Sequence, residues 1–182
     1  SAQDDAAFTY ADAPTLGDGV LAGGPMGGGN VVTIDGTGFF DGVTVEIGGN
    51  ACTPVVVVSE TRLTCTAPAG TEGPADIEVI TTEGTATAEG GYLYAPAPTV
   101  TTASPTGQPI QQGTPITIAG TGFYPGTSVL IGGVACTNVV FVSSTQITCN
   151  APSGLSGWVP LVISNASGDV TVVDAFYYSP SV

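Results

Sequence analysis

The stretch that decides the fold is "VVTIDGTGFFDGVTVEIGGNACTPVVVVSETRLTCTAPAG", residues 31–70. It returns as "PITIAGTGFYPGTSVLIGGVACTNVVFVSSTQITCNAPSG" at 115–154, 84 residues later and without a gap. Self-similarity at a fixed step is the mark of repeated domains. The step holds outward in both directions. "APTL" at 13–16 matches "APTV" at 97–100, and Tyr92-Leu93-Tyr94 matches Phe176-Tyr177-Tyr178. The chain therefore divides into residues 13–96 and 97–182. One more step back carries Tyr92 and Tyr94 to Phe8 and Tyr10, so residues 1–12 read as the last strand of a third repeat and its linker.

Alternation of apolar and polar residues dictates the local structure. "TVEI", "DIEVI" and "VTVVDAFYY" have the two-residue period of strands, bounded by Gly, Pro, Asn and Asp, and no segment keeps a helical period. In the second repeat the pattern predicts strands near 98–103, 114–119, 127–131, 135–142, 145–149, 158–164 and 169–178. About seven strands in so short a repeat is the size of an immunoglobulin-like sandwich. The expected fold is all-β: two tandem immunoglobulin-like β-sandwiches of about seven strands each, plus an N-terminal orphan strand. The Pro-stiffened linker "YAPAPTV" predicts an end-to-end arrangement.

Composition removes whole classes of function. The chain has one Arg, no Lys, no His and fifteen acids, a net charge of −14. Ten of the acids, offset only by Arg62, lie in residues 13–96; 97–182 carry two and the first twelve residues three. Such a surface repels nucleic acid and anionic lipid. Without His or Lys there is no Ser-His-Asp or Cys-His pair, no His-ligated metal and no Schiff base. Two carboxylates could still run glycosidase chemistry, but that needs a pocket that thin sandwiches do not provide. The expectation is a non-enzymatic protein. There is no apolar run long enough to span a membrane, and "SAQDD" reads as a processed terminus or a cut edge.

Cys52 and Cys65 recur as Cys136 and Cys149. Each pair flanks a predicted hairpin, which predicts two intradomain disulfides, Cys52–Cys65 and Cys136–Cys149. Each is worth roughly 3 kcal/mol on the chain-entropy account. A shared four-cysteine metal site would need thiolates from separate repeats to meet. The disulfides place the protein outside the reducing cytosol.

A strand leading into "GTGF", then "V-x-I-G-G", a Cys, and "S-x-T-x-[LI]-T-C-x-A-P" resembles the IPT/TIG domain over nearly the whole of both repeats. That family has an immunoglobulin-like fold and occurs in plexins, certain transcription factors and bacterial-type surface proteins. The DNA-contacting loops of the transcription factors are basic and these are not, so that role is not implied. What the resemblance implies is a spacer, stalk or adhesive module that is secreted or on a cell surface.

Several residues are candidates for function. Asp35, Asp41 and Asp76, with Glu78 and Glu83, could offer oxygens to calcium. Their spacing fits no calcium loop, and Asp35 and Asp41 become Ala119 and Pro125, so a solvated acidic surface is expected and no cofactor. "GDGVLA" at 17–22 fits a loose dinucleotide pattern, but no helix follows; a flexible loop is expected. "NAS" at 165–167 is a glycosylation sequon. Trp158 reads first as a packing residue, with contact to a neighbour or a sugar as its alternative; an exposed aromatic stripe including Tyr124 would mark a polysaccharide or cell-surface ligand. Phe8, Thr9 and Tyr10 form the candidate donor strand. Phe8 and Tyr10 would point to one face and need cover. Donation to a neighbouring copy would build a head-to-tail homopolymer, a fibre. The alternative is a spacer or carbohydrate-binding fragment of a longer multi-repeat protein.

Overall fold

The computed structural model describes residues 12–19, 22–105, 109–153 and 155–179, and none of these is helical. The candidate donor residues Phe8, Thr9 and Tyr10 lie outside them. The first repeat contains β1 (Thr15–Leu16), β2 (Ala22–Gly24), β3 (Val31–Thr37), β4 (Thr44–Ile47), β5 (Asn50–Ala51), β6 (Val55–Ser59), β7 (Arg62–Thr66), β8 (Gly73–Thr81) and β9 (Gly84–Tyr94). They form two facing sheets, ordered β1-β3-β7-β6 and β2-β9-β8-β4-β5. The second repeat contains β10 (Thr99–Ser104), β11 (Pro115–Thr121), β12 (Ser128–Ile131), β13 (Val134–Ala135), β14 (Thr137–Ser143), β15 (Gln146–Asn150), β16 (Gly157–Asn165) and β17 (Gly168–Tyr178). Its sheets run β10-β11-β15-β14 and β13-β12-β16-β17. This is the expected all-β pair of immunoglobulin-like sandwiches.

The alternation read from sequence is what closes each core. Val32 and Ile34 on β3, Val45 and Ile47 on β4, Leu63 on β7, Ile77 and Val79 on β8 and Tyr92 on β9 point inward and are buried. Each has a buried counterpart 84 residues on, from Ile116 to Phe176, in a separate core. Burial of one such side chain stabilises by about 1.5–3 kcal/mol, so each repeat carries its own stabilising core. Phe39 and Phe123 fill the sandwich next to the "GTGF" turn. The repeated "IGG" turns need both glycines: Gly48 and Gly49 have φ of 58° and 75°, and Gly132 and Gly133 have 59° and 79°. Two successive left-handed residues are the requirement of a tight hairpin.

Two local expectations change. The glycine-rich segment expected to be only a loop contains β2, which pairs parallel to the end of β9, Gly23 opposite Leu93. Small residues allow this approach, because a Cβ on Gly24 would collide with Tyr92 and Asn30. The single strand expected at 135–142 is instead split at Cys136 into β13 and β14.

Candidate functional site

The first disulfide forms as expected, between Cys52 and Cys65. The second does not: Cys136 and Cys149 are buried thiols. The two repeats also differ in the residues that follow the first cysteine of each pair. In the first repeat Pro54 has no N–H to give a ladder, so β6 starts at Val55, opposite Cys65. In the second, Asn138 takes that place in a left-handed conformation, φ 51°. β14 starts earlier, with Thr137 opposite Asn150, and a bulge separates Thr137 from Val140. The chain thus leaves Cys136 on a different course. Hydrogen bonding with Cys136 and burial push the Cys149 thiol far up, while the same contact lowers Cys136.

The acidic candidates are scattered. Asp35 is held by Arg62 through two hydrogen bonds, Nε to Oδ1 at 2.6 Å and Nη2 to Oδ2 at 3.1 Å. That contact lowers the Asp35 pKa. Asp76 accepts from the Gly90 N–H at 2.7 Å, and Glu78 sits opposite Glu46 on the β4–β8 ladder. Only Asp41 and Glu83 share a site, the rim of a hollow of about 120 Å³ beside Phe40. Among the described residues, no three acidic or thiol side chains gather as a metal site would require.

The two aromatic candidates part company. Trp158, read first as a packing residue, is 63% exposed on the outer face of β16. It lies opposite Tyr177 on β17, with ring centroids 5.5 Å apart and planes inclined at 59°. The inward positions of β16 are Val159, Leu161 and Ile163, and strand alternation puts Trp158 on the other side. The open Trp158 ring, flanked by the half-buried Tyr177, is a surface that can stack on another flat apolar face.

Tyr124, a candidate surface contact, is 3% exposed and lies at the junction of the two repeats. A Cβ on Gly23 of β2 would come within 2.6 Å of its side chain, so glycine is what lets the first repeat close over the ring. The Tyr124 hydroxyl accepts from the Ser167 N–H at 3.0 Å. The Ser167 hydroxyl donates to the Ala95 carbonyl in the linker at 3.0 Å. Asn165, the sequon asparagine, donates through Nδ2 to the Gly122 carbonyl at 2.9 Å. Its side chain braces this loop. Sequence reasoning missed the junction residues Gly23, Asn165 and Ser167. The available signal was that Tyr124 and Ser167 each stand one repeat beyond a residue of different character, Phe40 and Glu83.

The model of the family described as "IPT/TIG domain" matches residues 18–94 and 98–179. Among curated proteins, the chain is 37% identical over 91 residues to fibrocystin-L of Mus musculus, covering 50% of this chain and 2% of that protein. It is 33% identical over 162 residues to Plexin-2 of Caenorhabditis elegans, covering 81% of this chain and 9% of that protein. The chain thus spans only a small part of these relatives. Among solved structures, the full extracellular region of plexin A4 superposes with a TM-score of 0.60 at 19% identity, covering 97% of this chain and 19% of that one.

Proposed function

The chain belongs to the IPT/TIG family, and from that premise we propose that it works outside the cell as a non-enzymatic structural segment, a stiff spacer of serially packed repeats. The observation that carries this reading is the closed junction, with Tyr124 sealed against Gly23 and the Ser167 hydroxyl bound to the Ala95 carbonyl. A linker alone leaves neighbouring domains free to swing; a buried ring and a hydrogen bond to the linker restrain that motion. The Cys52–Cys65 bond supports an oxidising, extracellular setting. Small-angle X-ray scattering tests the reading. The intact chain should give one narrow distribution of distances, and Tyr124→Ala should broaden it. Indistinguishable profiles would remove the junction as a stiffening device.

A second reading is favoured by the open Trp158 ring beside Tyr177: an adhesive module that stacks on a sugar ring. The net charge of −14 favours a neutral polysaccharide over a sulfated one. Retention on an immobilised neutral polysaccharide should fall roughly tenfold or more in Trp158→Ala, at unchanged melting temperature. Equal retention by both proteins would end this reading. Fibre assembly through the Phe8–Tyr10 strand is the finer structural alternative. β9 and β17 already fill the last-strand places, with Tyr92, Tyr94, Phe176 and Tyr178 buried. Donation would therefore use a sheet edge that is open among the described residues, where β6 and β14 carry the exposed Val56, Val58, Val140 and Val142.

A further inference from the structure

The junction surface of the second repeat has a counterpart on the first. One step of 84 residues turns Phe40, Asp41 and Glu83 into Tyr124, Pro125 and Ser167. In the second repeat this surface is covered by β2 and the linker, and Tyr124 is buried. In the first, Phe40 is 38% exposed. A hollow of about 120 Å³ lies between it and the Thr81–Glu83 segment.

The chain also enters both surfaces along the same path. A Cβ on Gly122 would meet the carbonyl oxygens of Pro96 and Ala97 at 2.7 and 2.9 Å. One on Gly38 would meet those of Asp12 and Ala13 at 2.9 and 3.2 Å. Likewise Gly168 approaches the Ala97 side chain as Gly84 approaches that of Ala13. The path is set by the backbone of the receiving repeat. Residues 12 and 13 thus enter the Phe40 face as residues 96 and 97 enter the Tyr124 face. The residues immediately ahead, Phe8-Thr9-Tyr10, match the last-strand residues Tyr92-Leu93-Tyr94 that lead into the existing junction.

We infer that the Phe40 face is a docking surface for the C-terminal end of another IPT/TIG repeat, carried by the same polypeptide ahead of Asp12. This rests on the spacer reading and gives that spacer its next joint. The chemistry of the contact is specific. The occupant places a glycine, at the position of Gly23, on the Phe40 ring. Phe40 lacks the hydroxyl that Tyr124 uses, and Glu83 cannot donate to a linker carbonyl as Ser167 does. The occupant must offer Glu83 an N–H or hydroxyl donor, or leave the carboxylate at the wet rim. This joint is held by apolar contact more than by hydrogen bonds.

A three-repeat chain tests this, made by placing residues 13–96 a second time directly ahead of Ala13. Each repeat closes its own core, so the added copy folds by itself. Amide hydrogen exchange at 39–43 and 81–84 should slow roughly tenfold relative to the 182-residue chain. Gly23→Trp in the added copy alone should restore the faster rate. A second version with residues 97–180 in that place, which has Gly107 at the Gly23 position, should give the same protection. Unchanged exchange at the Phe40 face beneath a protected added copy overturns the inference, as does protection that survives Gly23→Trp. An open Tyr124 junction, with 123–127 exchanging as fast as 39–43 in the parent chain, would instead sink the spacer reading.

Discussion

Tyr94 and Tyr178 stand one repeat apart, both buried, and differ by a hydrogen bond. The Tyr94 hydroxyl donates to the Pro68 carbonyl at 2.9 Å, while that of Tyr178 is buried with no partner among the described residues. A buried hydroxyl without a partner keeps its desolvation cost and returns nothing. Tyr178→Phe should therefore leave stability unchanged or raise it, whereas Tyr94→Phe should cost about 1 kcal/mol. Urea unfolding of the two variants beside the parent reads both signs. Equal losses would mean that the Tyr178 hydroxyl is satisfied in solution. The repeat match put the two tyrosines in equivalent places, but it could not tell them apart, since Pro68 and Pro152 are the same residue in the same register. Trp158 was legible in principle. It stands out of phase with Val159, Leu161 and Ile163, and that phase outweighs the preference of a large aromatic for burial.

At the scale of the strand, period two located nearly every element because both sheets of each sandwich bury one face and wet the other. It failed where a strand is defined by close approach rather than by alternation. β2 has three small residues and no pattern; its pairing with β9 depends on what Gly23 and Gly24 lack. It failed again at β14. Repeat symmetry argued for a second disulfide, yet Pro54 and Asn138 send the two chains away from Cys52 and Cys136 on different ladders. Cys136 and Cys149 stay in hydrogen-bonding contact as thiols, a difference from the first repeat that spacing does not register. β6 and β14 share one further trait, an exposed valine pair on a strand that ends its sheet among the described residues, and the sequence registers it as a valine-rich run in each.

For the molecule as a whole, the 84-residue step made the division into two sandwiches plain, because it compares the chain with itself. It could not reveal which surfaces meet, since the junction joins non-equivalent ends of the two repeats. The two cores also share an alkaline vulnerability. Burial pushes Tyr92 up to about 12, against a lowering contribution from Asn30, and burial likewise pushes Tyr178 up to about 12. Tyr94 is raised by the same cause. A folded-state pKa above the ordinary 10.0 means that the folded state holds the proton more tightly. The stabilisation is complete below pH 10 and is lost as pH climbs through 12. Denaturant midpoints should be flat from pH 7 to 9 and fall between 10 and 12, in step with delayed tyrosinate absorbance. Midpoints that stay flat through pH 12 would show that these rings ionise as freely as in the unfolded chain.

The bond between Cys52 and Cys65 has one more consequence, for digestion. To a trypsin-like protease the whole chain offers a single address, the peptide bond after Arg62, whose guanidinium is already engaged by Asp35. That bond lies inside the loop the two cysteines close. A molecule nicked there does not come apart. Its two pieces stay leashed by sulfur and travel together until a reductant releases them.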